Sequence, residues 1–242
     1  MGKIKLTIDG YNKIAKHWDG TRRHGWSEVN QYIDINILKF LKFNIEYKRT
    51  SGVDSKEFVN ILDLGCGNGR LIDFLKEKTY WNNINYIGID PSIELINICN
   101  NRYTNIEFKI NDGMAISLAD DSMDIVISLA VLHHIPKEYQ DKWLSEIYRV
   151  IKKDKNSKAI LTVWIQDEKS YTENKTVHNK ISKNEMMMGF AQYENIRYVY
   201  LFTEEELINL LIKNKFKVLE KHIDKRPNSE HKNLILILEL VS

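Results

Sequence analysis

Two hydrophobic periods alternate along this chain. Phe58 to Leu64, Ile84 to Ile89, Ile106 to Ile110, Met123 to Leu129 and Ala159 to Trp164 are short, apolar and partly β-branched. Runs of that kind predict buried strands. Between them, apolar residues recur every three or four positions. Leu71, Phe74 and Leu75 form a stripe over Arg70 to Lys78, with Lys78 at its end. Ile93 and Ile96 do so over Ser92 to Asn101, and Tyr139, Trp143, Ile147 and Val150 over Lys137 to Ile151. These stripes predict amphipathic helices. Thr203-Glu204-Glu205-Glu206 is a capping box that opens a helix through Leu207, Leu210 and Leu211. Phe216 to His222 and Leu234 to Val241 then close the chain as two strands. Strand–helix units followed by a strand pair predict an α/β domain with a mostly parallel sheet and an antiparallel edge.

Upstream of this repeat, Ser27 is an N-cap candidate for a helix carrying Val29, Ile33, Ile37, Phe40 and Leu41. Residues 44–57 read as a polar connection, and 1–27 as an arm with one or two amphipathic turns around Tyr11 to Trp18. Residues 165–196 have little periodicity and read as a flexible insertion or lid. The whole of 1–242 is expected to be one domain.

Net charge changes the picture because it is segregated. Residues 1–50 carry 10 Lys/Arg against 5 Asp/Glu, net +5, while 51–150 carry 9 against 15, net −6. Residues 151–183 carry 8 against 4 and residues 213–232 carry 7 against 3, each net +4. An acidic centre framed by basic segments suits a polyanionic partner. The same lysines would also serve simply to solubilise surface segments, and charge blocks alone do not separate the two. The two cysteines, Cys66 and Cys99, are too few for a disulfide framework or a structural zinc site. No apolar run is long enough to span a bilayer. Met1 to Leu6 lacks the apolar core of a secretory signal, so the expected compartment is the cytoplasm, with the nucleus as a second one.

The chemistry begins at Asp63-Leu64-Gly65-Cys66-Gly67-Asn68-Gly69. Glycines at alternate positions let the chain turn and let a ligand approach bare backbone at a helix N-terminus. G-x-G-x-G departs from the dinucleotide spacing G-x-G-x-x-G, and Arg70-Leu71 is not the G-K-[ST] of a P-loop. The segment resembles the first motif of S-adenosylmethionine-dependent methyltransferases. Asp90 lies 25 residues after Gly65, at the tip of the second strand, where an acid accepts hydrogen bonds from ribose hydroxyls. Asp112, beside the turn at Gly113, is placed to take an adenine amino group.

With Ile127-Ser-Leu-Ala-Val-Leu-His133-His134 and Val163-Trp164 added, the series resembles the eukaryotic tRNA wobble-uridine carboxymethyl methyltransferases. So do the arm Tyr11-x-x-Ile-Ala-x-His17, the motif Thr21-Arg22-x-x-x-Trp26 and Arg197-Tyr198-x-Tyr200-x-Phe202. The chain departs from that pattern at His24-Gly25, Tyr200 and Asn233-Leu234. The resemblance implies a Rossmann-like class I methyltransferase fold with seven strands and helices on both faces. It implies S-adenosylmethionine as cofactor and the carboxylate of 5-carboxymethyluridine in tRNA as acceptor. It also implies a heterodimer with a small zinc-binding activator subunit, which would bring the only metal. Cofactor contacts are then expected from Asp63, Gly65, Cys66, Gly67, Asn68, Asp90, Pro91, Asp112, Gly113, Met114, Ser128, Leu129 and Ala130. Catalytic roles fall to Arg22, His133 and His134, and substrate contacts to Arg22, Trp26 and Arg197.

One histidine of the pair would pack against the sulfonium or the base, and the other would cap the next helix. Adjacent histidines cannot face one metal as an i, i+4 helical pair does, so metal binding is discounted. Trp26 and Trp164 can stack on a nucleobase or sit in the core. Two other functions fit the same fold: an N- or O-methyltransferase of small molecules, and a cofactor-binding scaffold subunit without activity. The intact acids and glycines argue against the second.

Overall fold

The computed structural model describes residues 2–22, 27–51, 58–166, 177–224 and 232–241. In chain order the elements are α1 (Gly2–Thr21), α2 (Ser27–Ser51), β1 (Val59–Leu64), α3 (Arg70–Lys76), β2 (Ile84–Asp90), α4 (Ile93–Arg102), β3 (Glu107–Ile110), β4 (Ile125–Leu129), α5 (Lys137–Val150) and β5 (Lys158–Ile165). They continue with β6 (Val177–Lys180), β7 (Glu185–Phe190), β8 (Tyr193–Tyr200), α6 (Glu204–Lys213), β9 (Phe216–Asp224) and β10 (Lys232–Leu240).

Seven strands form one sheet in the order β3-β2-β1-β4-β5-β10-β9. The first five run parallel, and β10 lies antiparallel between β5 and β9. The predicted parallel sheet with its antiparallel edge is therefore present. Strand β1 shows why it has two covered faces. Ile61 packs with Val29, Ile33 and Ile37 of α2, Ile72 and Leu75 of α3 and Cys99 of α4. Its neighbours Leu62 and Leu64 pack with Trp143 and Ile147 of α5 and Leu207 and Leu211 of α6. Successive side chains of a strand point to opposite faces, so a run that is apolar at every position must be covered twice.

Two segments differ from the sequence reading. The arm is not one or two turns but the 20-residue helix α1. Its buried residues Thr7, Gly10, Ile14 and Ala15 dock on the rest of the protein, and packing rather than intrinsic propensity holds such a helix. Residues 177–196 of the insertion expected to be flexible at 165–196, together with 197–200, form the antiparallel sheet β6-β7-β8. Its alternation was hidden because both sides of β7 are covered. Met187 joins the large core, while Met186 and Met188 pack with Val199 and Leu201. Of the polar connection expected at 44–57, residues 44–51 instead continue α2, and 52–57, like residues 167–176 of the expected insertion, lie outside the described residues.

At the far edge, β3 has one paired side. Ile110 is 55% exposed there, although the apolar run Ile106 to Ile110 predicted a buried strand. Phe108 is held instead by the rings of Tyr86 and Tyr103.

Candidate active site

The parallel strands end on one side of the sheet, and the loops that follow them enclose a cavity of about 400 Å³. Its floor is the glycine turn. Gly65, Gly67 and Gly69 have φ of +83°, +58° and +75°. The N–H groups of Gly65 and Cys66 donate to the carbonyl of Ile89 at 2.7 and 3.0 Å, which folds the turn across the end of β2. A Cβ on Gly65 would lie 2.2 Å from Cγ2 of Val131, whereas nothing lies within 4 Å of one on Gly67. The turn is thus packed from behind and open above Gly67.

Two carboxyl groups are sunk into this wall. Asp63 receives the Tyr86 hydroxyl at 2.5 Å, and Asp90 receives the N–H groups of Gly67 at 2.9 Å and Ser92 at 2.8 Å. Burial raises the Asp63 carboxyl to about 7 and the Asp90 carboxyl to about 6, against the hydrogen bonds that favour their charged forms. Burial also pushes the Cys66 thiol well up, so it is a small apolar surface here rather than a nucleophile. Asp112 accepts from Met114 N–H at 3.0 Å and Asn111 from Gly113 N–H at 2.7 Å, which shapes the next turn.

Of the thirteen expected cofactor residues, Asp63, Gly65, Cys66, Gly67, Asn68, Asp90, Pro91, Asp112, Leu129 and Ala130 line the cavity. Gly113, Met114 and Ser128 do not. Gly113 backs onto the Trp143 indole, Met114 joins the core, and the Ser128 hydroxyl donates to the Leu64 carbonyl at 2.7 Å. These three shape the wall from behind.

The second wall comes from α1, whose cavity residues Ile4, Thr7, Ile8, Tyr11 and Trp18 were not anticipated as site residues. The motif around Tyr11 was the signal, but spacing alone gave it no position in space. Asp19 accepts from both Arg102 of α4, at 2.7 and 2.8 Å, and Asn68 of the glycine turn, at 2.9 Å. Asn12 accepts from the Ser92 hydroxyl at 2.7 Å. The helix is therefore fastened to the glycine turn and to both ends of α4.

The third wall holds the histidines and Arg197. His134 Nδ1 is 2.8 Å from the Tyr198 carbonyl, which can only accept, so Nδ1 carries the proton. Burial, and then the Arg197 charge, lower this imidazole to about 3, so it is neutral at physiological pH. His133 is fully buried behind Trp164. Its ring stacks on the indole at 4.3 Å and 14°, and its Nδ1 accepts from Trp164 N–H at 3.2 Å. His133 thus holds Trp164 in place, while His134 and Trp164 line the cavity. Arg197 lies over the opposite part of this tier, 5.3 Å from the Trp164 ring and 5.7 Å from Phe190. It is only 7% exposed, and its Nε is buried without a hydrogen-bond partner. Arg22 also lines the cavity, 5.0 Å from Trp18 and 5.2 Å from Phe190, with its carbonyl accepting from Asn68. Trp26 lies outside the described residues.

The cavity wall carries two buried carboxyls and a buried guanidinium, an arrangement that suits a ligand with both a cationic and an anionic centre. Asp63 fits the cationic sulfonium of S-adenosylmethionine beside the open glycine turn, and Asp90 fits its ribose hydroxyls as an acceptor. A bound cation and bound hydroxyl donors both favour the ionised carboxylates, so binding would release protons from Asp63 and Asp90. S-adenosylmethionine affinity is therefore expected to rise from about pH 5 to about pH 7 and to level off above that, and Asp63→Asn to flatten the rise. The ligand-free protein should do the reverse. Carboxyls raised above their unfolded value of about 4 make the native state bind more protons, so stability falls as pH rises from about 4 to about 7. Calorimetry across that range tests both, and a pH-independent affinity would refute the first. Among the described residues no group of His, Cys, Asp and Glu could hold a metal ion, and no helix is long and apolar enough to cross a membrane.

Comparison with known proteins follows this geometry. A family model described as a methyltransferase domain matches residues 61–154. Over 175 residues the chain is 30% identical to a tRNA (carboxymethyluridine(34)-5-O)-methyltransferase of Macaca fascicularis, covering 72% of this chain and 22% of that protein. It is 27% identical over 235 residues to the Schizosaccharomyces pombe protein of the same name, covering 89% and 90%. The chain spans about a fifth of the length of the vertebrate relatives it matches. A solved S-adenosylmethionine-dependent methyltransferase from Methanosarcina mazei shares the fold with a TM-score of 0.64 at 21% identity, covering 77% of this chain and 94% of that one. The fold and the resemblance expected from the motifs are both borne out.

Proposed function

We propose that this chain, which belongs to the class I S-adenosylmethionine-dependent methyltransferases, methylates the carboxylate of 5-carboxymethyluridine at the tRNA wobble position. The observation that carries this reading is Arg197. A guanidinium that lines the cavity, is buried and is backed by two aromatic rings offers its charge to a ligand of opposite sign there. A planar carboxylate is its bidentate complement. The relatives whose names state this acceptor support the choice over other carboxylates.

The chemistry asks little else of the protein. A carboxylate is already ionised at neutral pH and needs no general base, and His134, whose Nε2 already accepts from Tyr11 and whose basicity burial lowers, supplies none. The cofactor, when bound, supplies an electrophilic methyl group. Arg197 would hold the acceptor, Trp164 would line its pocket, and the glycine turn with α1 would exclude water and align the two ligands. The basic segments around the acidic centre would meet the phosphates of tRNA.

The same reading includes a partner. Among the described residues the β3 edge leaves backbone groups unpaired on one side, and it exposes Ile110, which suits strand addition by the small zinc-binding activator. The complex would act in the cytoplasm or nucleus, where its tRNA substrate is modified. The deciding experiment is nucleoside mass spectrometry of tRNA bearing 5-carboxymethyluridine, incubated with S-adenosylmethionine and the chain with and without the activator. The methyl ester should appear, and in greater yield with the activator. Ester formation in neither mixture would refute the reading.

A further inference from the structure

Tyr11 stands where the two working walls of the cavity meet. Helix α1 is tied to β8 by Thr7, whose hydroxyl oxygen accepts the Tyr198 N–H at 2.9 Å. It is tied to the start of α4 by Asn12, as described above. Tyr11 lies between these anchors and lines the cavity together with the glycine turn and Arg197. Its hydroxyl is 3.1 Å from His134 Nε2. The direction of that bond is settled by the other side of the ring. His134 Nδ1 donates to the Tyr198 carbonyl, so in the neutral imidazole Nε2 is bare and Tyr11 must donate to it. With its one proton engaged, the Tyr11 oxygen presents only lone pairs to the cavity.

An oxygen that can only accept repels the carboxylate that Arg197 would hold. Its complement is a cation with polarised hydrogens. We propose that the Tyr11 oxygen, oriented by His134, is the acceptor facing the C–H groups of the cofactor's sulfonium, so that the site distinguishes the methylated cofactor from its demethylated product. This rests on the reading of the cavity as an S-adenosylmethionine site.

The test is binding, not turnover. Affinities of wild type and Tyr11→Phe are measured by calorimetry for S-adenosylmethionine, S-adenosylhomocysteine and sinefungin, which carries an amine in place of the methylated sulfur. Phenylalanine can keep the edge contacts to the Trp18 and His134 rings. S-adenosylmethionine should weaken by about two- to fivefold, as expected for loss of C–H···O contacts. Sinefungin should weaken by about tenfold or more, because an ammonium N–H loses a charged hydrogen bond. S-adenosylhomocysteine should change by less than about twofold, having neither. Equal weakening of all three would make Tyr11 a packing residue and overturn the proposal, as would no change in any. The readout is a ratio within one variant, so a partly unfolded sample lowers stoichiometry without mimicking the result. If wild type binds none of the three, the cofactor reading itself fails, which is a different outcome from equal weakening.

Discussion

Replacing Arg197 by methionine is expected to lower kcat/KM for tRNA carrying 5-carboxymethyluridine by about 10²- to 10³-fold. The loss follows from two charge-assisted hydrogen bonds to one carboxylate, each worth about 1.5–3 kcal/mol and not fully additive. S-adenosylmethionine affinity should stay within about twofold, since the glycine turn, Asp63 and Asp90 are untouched. The backbone should not object either: Arg197 pairs with Met188 in the β7–β8 ladder through main-chain groups that methionine retains. Stability is expected to move the other way from activity. A guanidinium that is 7% exposed, with its Nε unsatisfied, costs the ligand-free protein desolvation that methionine does not. The variant should therefore melt at or above the wild-type temperature, the exchange of stability for function expected at a binding site. Arg197→Lys keeps the charge but not the planar fork, and should recover only part of the activity. Steady-state kinetics and thermal unfolding together test this. An Arg197→Met enzyme with wild-type kcat/KM would remove Arg197 from the substrate site.

The parts of this site that were legible in the sequence are those built from contiguous residues. The turn Asp63 to Gly69 and the acid Asp90 announce themselves because a strand end, alternate glycines and an acid at the next strand tip are local patterns, and each appears in the cavity wall. The sheet was legible for the same reason, since β1 to β5 are short apolar runs separated by helical periods. What stayed hidden depends on packing between distant segments. Helix α1 contains Gly2, Gly10 and Gly20 and only a narrow buried stripe, so nothing local marks it as a 20-residue helix. β7 is covered on both sides and loses its period of two. His133 and His134 are adjacent and chemically identical in sequence, yet one lies behind Trp164 and the other faces the cavity. Which is which follows from the β5 and β8 backbones they meet, through Trp164 N–H and the Tyr198 carbonyl.

That dependence on packing makes Gly10, where α1 meets the β8 backbone, a sensitive position outside the cavity wall. Gly10→Ala is expected to weaken S-adenosylmethionine binding by about 10²-fold while leaving the seven-stranded domain folded. Helix α1 crosses β8 so closely at this point that a Cβ on Gly10 would lie 1.8 Å from the Ile196 carbonyl oxygen and 2.7 Å from its carbon. Both are backbone atoms of a strand hydrogen-bonded to β7, so the contact can be relieved only by moving α1 away. Movement there breaks the Thr7–Tyr198, Tyr11–His134 and Asn12–Ser92 hydrogen bonds and the Asp19–Arg102 pair together, because one rigid helix carries all four. If α1 stays docked in about 1% of molecules, apparent affinity falls about a hundredfold. The sign of this effect separates it from helix propensity. Alanine is about 1 kcal/mol better than glycine inside a helix, so an α1 that mattered only as a helix would be improved. The two large cores rest chiefly on α2 to α6 and the sheet, so circular dichroism and the main thermal transition should change little. Hydrogen exchange across residues 2–22 should become fast, and calorimetry should show the affinity loss. Wild-type affinity in Gly10→Ala would show that α1 is not part of the cofactor wall.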